Sequence, residues 1–310
     1  MTSPFPSGAP DRVAVGRCSG SSALPHRPRR TGIRFVGRCS GLLRLACGCA
    51  AALACSGACA RELRVCADPN NLPFSNRGGE GFENRIVDIV ARDLGATVTY
   101  TWWAQRRGFL RNTILAGRCD LVPGIPVGLE ALRPTRPYYR SSFVVVSRPG
   151  GPSIRSLDDP NLAGMTVGVQ LVGKDAAGTP PARALARRGM TGNVRGYLLT
   201  GDYAAPNPPA RIIDAVASGE IDVALAWGPM AGYFAARADP PLRVAPIEPA
   251  IDGPKGPMVF DVAMGVRRGD EDLRLEVGAA LERHRAEIDA ILLRYDVPRL
   301  DGTRRVEAGP

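Results

Sequence analysis

Residues able to bind or do chemistry gather at one corner of the chain. Asp68, Asn70, Asn71 and Phe74 all fall within the stretch "ADPNNLPFSN". A carboxylate and two carboxamides offer hydrogen bonds to a polar ligand, and the phenyl ring offers a flat apolar face. The same residue types also build ordinary turns. Further along, Gln170, Lys174, Tyr203 and Trp227 could line the opposite wall of a cleft.

Catalytic constellations are missing. After residue 60 the chain has one histidine, His284, set among Glu282, Arg283, Arg285 and Glu287 as on a solvated helix face. No glycine-rich phosphate loop follows a strand at the required spacing. No cluster of His, Cys and carboxylates has metal-ligand spacing, and Asp68 and Asp222 are not paired as acid and base. The expectation is a binding protein without catalytic residues, metal or cofactor.

Residues 1–60 differ in kind from the rest. They carry eight arginines, the single acid Asp11, six of the eight cysteines and an uncharged apolar run from Leu45 to Cys59. The run is shorter than the roughly 20 residues of a membrane span, and Ala58–Ala60 supplies an A-x-A cleavage site. This predicts a cleaved signal peptide over 1–60, Arg61 as first mature residue, and a periplasmic protein without a membrane span. The long basic part, with Arg29 beside Arg30, reads either as a twin-arginine signal or as a start codon placed too far upstream. The leader accounts for seven of the ten formal positive charges, so nucleic acid is not an expected partner.

Cys66 and Cys119 remain in an oxidising compartment, where pairing is the default. Strand geometry pulls the other way. If the strands bearing them lie with their ends level, the two stand about 10 Å apart at about 3.3 Å per residue, beyond the reach of a bridge.

The elements that must position these residues alternate. "ELRVCA" reads as a strand, and a helix follows in which Ile86, Ile89, Val90 and Leu94 share one face and Gly95 takes the C-cap. "ATVTYTW" reads as a strand, "GFLRNTILAG" as a helix closed by Gly117, and "CDLVPG" as a strand. The series repeats with "GMTVGVQ", "PPARALARRG" and "ARIIDAVASGEIDVALAW". Thr179 before Pro180 and Asn207 before Pro208 are expected N-caps. A late strand, "DVAMGV", and a helical region over 273–294 complete the chain. Such β-α alternation implies parallel sheets covered by helices, with ligands bound where the C-terminal strand ends face a cleft.

"LRVCADPNNLPFSN", "RPYYRSSFVVVSR", "LAGMTVGVQ" and "MGVRRGDEDL" resemble periplasmic solute-binding proteins of the amino-acid-receptor type. The longer strings "GFENRIVDIVARDLGATVTYTWWAQRRGF" and "GDYAAPNPPARIIDAVASGEIDVALAWGPMAGYF" resemble one subfamily, the J proteins encoded beside PQQ-dependent methanol dehydrogenases. The resemblance implies an α/β, two-lobed, type II fold with two hinge crossings. Its expected boundaries are lobe 1 over 61–143 and 266–310, and lobe 2 over 144–265.

Departures from the receptor pattern matter most. Gly128 and Ala131 stand where receptors place the threonine and arginine that hold a ligand carboxylate, and Trp227 stands where they place the aspartate for the ammonium group. Arg133 and Arg136 lie near the lost arginine, with Pro134 between them. The resemblance thus implies an exported accessory protein that contacts a PQQ-dependent methanol or alcohol dehydrogenase, or its cytochrome c. The alternative is a receptor delivering a solute other than a free amino acid to an importer. Some enzymes, dehydratases for example, share the fold.

Overall fold

The computed structural model describes residues 61–172, 177–253 and 256–300. The expected leader and Lys174 lie outside the described residues.

The first lobe opens with β1 (Arg61–Ala67), a tight hairpin of β2 (Asn70–Asn71) and β3 (Ser75–Asn76), then α1 (Phe82–Asp93) and β4 (Ala96–Trp102). After α2 (Phe109–Asn112) come β5 (Leu121–Pro126) and the short β6 (Arg133–Pro134). Strands β4, β1 and β5 are parallel neighbours. Then β7 (Tyr139–Ser147) leaves the lobe.

The second lobe holds β8 (Val167–Val172), β9 (Ala177–Gly178), α3 (Pro180–Arg187), β10 (Val194–Leu198) and α4 (Arg211–Ala217). It continues with β11 (Val223–Trp227), α5 (Gly228–Ala236) and β12 (Arg243–Pro246). Last come β13 (Val259–Val266), α6 (Glu271–Arg283) and α7 (Arg285–Arg294).

Strand β7 makes the outward crossing. Tyr139–Ser142 of β7 pair with β13 in the first sheet, whereas Phe143–Ser147 pair with β11 in the second. Strand β13 returns antiparallel to β5. Because Val259 already pairs with Ser142, the whole of β13 lies in the first sheet, and the return crossing comes ahead of the 265/266 boundary expected from sequence. The fold is α/β, two-lobed and of type II.

Helix α1 shows why the sequence folds as it does. Phe82, Ile86, Val87 and Val90 are fully buried because they recur at helical spacing on the side facing the sheet. Gly81 starts the helix without a side chain to cap it, and Asn84 reaches back to accept the N–H groups of Gly81 at 3.2 Å and Asn76 at 3.1 Å. Gly95 ends the helix at φ +60°, where a side chain would be strained.

Three local expectations are corrected. The helix expected over "GFLRNTILAG" is broken at Thr113, whose backbone is not helical (φ −121°, ψ −95°), leaving the four residues of α2 and a 3₁₀ turn at Ile114–Ala116. Thr179 stands at the N-cap of α3 ahead of Pro180 as expected, but its side chain makes no cap bond; its hydroxyl donates to Gln170 O at 3.0 Å. Asn207 makes no side-chain cap either, and Pro208 opens a 3₁₀ turn, so that α4 begins only at Arg211.

Cys66 and Cys119 are bridged, with Cα atoms 5.6 Å apart. The expected 10 Å separation assumed an extended approach to the third strand. That strand begins only at Leu121, and the segment before it folds back over β1 and β4. Thr101, the register partner of Cys66, donates its hydroxyl to Arg118 O at 2.8 Å.

Candidate functional site

The seam between the lobes is built from three loops at strand ends. Asp68 directly follows β1 and is 1% exposed. Its carboxylate accepts the N–H of Asn70 at 2.9 Å and of Gln105 at 2.6 Å, so it ties the β2–β3 hairpin to the segment after β4. Burial pushes the Asp68 pKa up, and the two backbone N–H donors oppose that rise. Ser75 closes the hairpin by donating to Asp68 O at 2.8 Å. Asn71 donates to Gln105 Oε1 at 2.8 Å.

Asn70 reaches the other lobe. Its amide donates to Ala205 O at 2.9 Å and Asp202 O at 3.2 Å. The receiving loop is ordered by Asp202, which pairs with Arg211 and accepts the N–H groups of Ala204 and Ala205. The Arg211 hydrogen bond holds Asp202 below the usual carboxylate range. Gly201 packs so tightly on lobe 1 that a Cβ there would come within 2.9 Å of the Arg106 guanidinium, and its φ of +85° also favours glycine. Tyr203, 56% exposed, feels Asp68 and Arg106 and meets the backbone of Ala104.

Phe74 fills the space between these loops. It packs against the hydrophobic cores of both lobes, and its ring lies 5.3 Å from that of Phe82. Trp227 ends β11 and also touches both lobes. Its ring meets Phe143 at 5.3 Å and Phe260 at 5.8 Å, both edge-on, an arrangement that adds to area burial.

The structure therefore brings Asp68, Asn70, Asn71, Phe74 and Tyr203 to one seam, and sets Trp227 of β11 in an aromatic cluster with Phe143 of β7 and Phe260 of β13. Gln170 lies on β8, its Oε1 buried without a protein partner. Arg133 does not approach the lost anchor: it pairs with Val266, level with Leu121 at the N-terminal end of β5, away from the cleft.

Glu83 is a buried acid of α1 that sequence reasoning passed over. It is 5% exposed, and burial pushes its carboxyl up to about 8. Tyr100, Tyr138 and Tyr139 lie within its electrostatic reach. Its one signal is position, four residues before the buried Val87 on the same helix face.

Beside the seam, on lobe 1 alone, lies an open groove of about 920 Å³. Among the described residues, no group of three or more His, Cys, Asp or Glu could hold a metal. None of their helices is long and apolar enough to cross a membrane.

No family model matches the chain. Protein MoxJ of Methylorubrum extorquens is 33% identical over 295 residues, covering 89% of this chain and 98% of that protein. Protein MoxJ of Paracoccus denitrificans is 31% identical over 269 residues, covering 83% and 97%. The crystal structure of the periplasmic binding protein XoxJ from Methylobacterium extorquens AM1 superposes with a TM-score of 0.62 at 36% identity, covering 77% of this chain and 99% of that one.

Proposed function

The chain belongs to the MoxJ family, and from that premise we propose that it is an exported accessory factor of a PQQ-dependent methanol or alcohol dehydrogenase, acting in the periplasm by protein contact with the dehydrogenase or its cytochrome c. The observation that carries this reading is Trp227. Where an amino-acid receptor places the aspartate for its ligand's ammonium group, this chain packs an indole against both lobes. Losing a buried ionic anchor costs about 3–5 kcal/mol, and Ala131 removes a second anchor.

Phe74 and Asn70 support the same reading, since they hold the lobes to each other with the chain's own side chains. A two-lobed scaffold fixed in this way is a rigid surface for a partner, with little ordering cost on binding. The competing reading, a solute receptor, draws on the unpartnered Gln170 Oε1.

Deletion of the gene tests the two. The accessory reading expects impaired alcohol oxidation with uptake of ordinary nutrients intact. Normal alcohol oxidation together with loss of uptake of one solute decides for the receptor.

A further inference from the structure

A mid-helix glycine marks a second contact between the lobes. Gly232 stands inside α5, where glycine weakens a helix relative to alanine, yet a Cβ on it would come within 2.1 Å of Asp296 O and 2.9 Å of Pro298 Cδ. The missing side chain lets another stretch of backbone lie directly on α5. That stretch belongs to the other lobe: it follows α7, whose Ile288 and Leu292 are buried with Ile86 and Val90 of α1, whereas Met230, Ala231 and Ala235 of α5 are buried with Val144 and Ala224 of the second sheet.

Asp296 answers Gly232 from the lobe 1 side. It takes φ +53° in the turn that ends α7, where the N–H of Val297 donates to Leu292 O at 3.1 Å, a position at which glycine is the usual residue. The aspartate keeps a side chain there, and its carboxylate accepts the Arg237 guanidinium of lobe 2 at 2.9 Å. Tyr295 stacks on Tyr233 of α5 with ring centroids 5.7 Å apart, and the Arg237 guanidinium lies 3.8 Å from the Tyr233 ring centroid. Farther along, the segment ties down β7 just before that strand changes sheets. Ser141 donates its hydroxyl to Pro298 O at 2.6 Å, and Leu300 donates its N–H to Arg140 O at 3.0 Å.

We propose that residues 295–300 are a strap that clamps the two lobes in one relation, so that the chain does not open and close about its hinge. Rotation of one lobe against the other would have to drag Gly232 across Asp296 O, part the tyrosine stack and break the Arg237–Asp296 pair together. Close-packed contacts of this kind hold one discrete arrangement and do not deform continuously. They are distinct from those of Asn70 and Phe74 at the seam, and they hold with or without a bound partner.

The distance between two spin labels tests the strap, one placed on α1 by Arg85→Cys and one on α3 by Ala186→Cys, both exposed positions, in the mature chain with its disulfide intact. With no further substitution the labelled chain gives one narrow distance distribution. Gly232→Ala favours the helix but forces the strap off, so it broadens the distribution roughly twofold or adds a second distance. Gly278→Ala is the control: it changes a mid-helix glycine of α6 with open space about its Cβ and leaves the distribution as it was. A broad or double distribution before any strap residue is changed overturns the proposal, and so does a Gly232→Ala chain as narrow as its parent at the same distance. Should circular dichroism show that Gly232→Ala does not fold, the double variant Tyr233→Ala with Asp296→Gly takes its place. It removes the stack and the ion pair while giving the turn its favoured glycine, and the same outcomes decide: broadening supports the strap, and an unchanged narrow distribution overturns it.

Discussion

The carboxyl of Glu83 fills the space beside Gly124 that a Cβ on that residue would need. A helix residue and a strand residue are thereby matched, an acid whose site exists only because its neighbour has no side chain. Its carboxyl rises from an ordinary 4.5 to about 8 because burial disfavours the charged form. Between those values the folded chain keeps a proton that the unfolded chain has released, so stability falls as pH rises. Below 4.5 both states are protonated and the penalty vanishes; above about 8 it is complete. Glu83→Gln removes the titration. Its stability gain over wild type should grow across this window to the order of several kcal/mol, read from melting curves at a series of pH values. A gain that does not change with pH would rule out a buried, titrating acid.

The Asn70 amide spans the seam to Ala205 and Asp202. Asn70→Ala removes both bonds, each worth about 0.5–1.5 kcal/mol. Little global stability is at stake, but the loop after β10 loses its tie to lobe 1. Limited proteolysis should cut that loop faster in the variant, with the melting temperature lowered slightly. Equal cleavage rates would show that Phe74 and the Asp202–Arg211 pair hold the loop unaided.

The Cys66–Cys119 bridge closes a loop over a sequence separation of 53. Chain entropy alone gives such a bridge about 4 kcal/mol at 25 °C. Protein isolated from the periplasm should show no free thiol here by alkylation and mass measurement, and reductant should lower its melting temperature. Both cysteines pack with Phe109 and Ile114 in the small core beneath α2, so reduction should loosen the groove side of lobe 1 first, visible as faster amide exchange over 109–119. Two alkylated thiols before reduction would refute the bridge.

Legibility in the sequence followed the range of the interactions. Helix α1 was readable because its apolar positions and Gly95 are local signals. The helix over 108–117 was not, because the backbone at Thr113 departs from helix while the composition stays helical. The disulfide was undecidable without knowing that β5 starts at Leu121. Glu83 escaped notice because an acid in a first helical turn ordinarily faces solvent and the helix dipole. Asn70 reads as a turn residue, and its partner Ala205 stands 135 positions away, a distance at which no spacing rule operates. Trp227 was legible only as a departure from a known pattern; its contacts with Phe143 and Phe260 depend on β7 and β13, strands distant in sequence that pair beside the crossing.

The ligand class follows from that tryptophan and from Ala131. An α-amino acid carries two charges that must be met once water is removed, and each unmet charge costs about 3–5 kcal/mol, or roughly two to three and a half decades of affinity. Arg133 is engaged on β6 beside Val266, and Asp68 is engaged by two backbone N–H groups, so neither is placed to replace a lost anchor. Calorimetric titration of the mature chain with each proteinogenic amino acid should therefore give no binding heat. Trp227→Ala should leave that result unchanged while lowering the melting temperature, because deleting a large aromatic from a packed cluster costs about 3–5 kcal/mol. Micromolar binding of any common amino acid by the wild type would mean that the seam opens to expose anchors other than those the receptors use, and the accessory reading would lose its chief support.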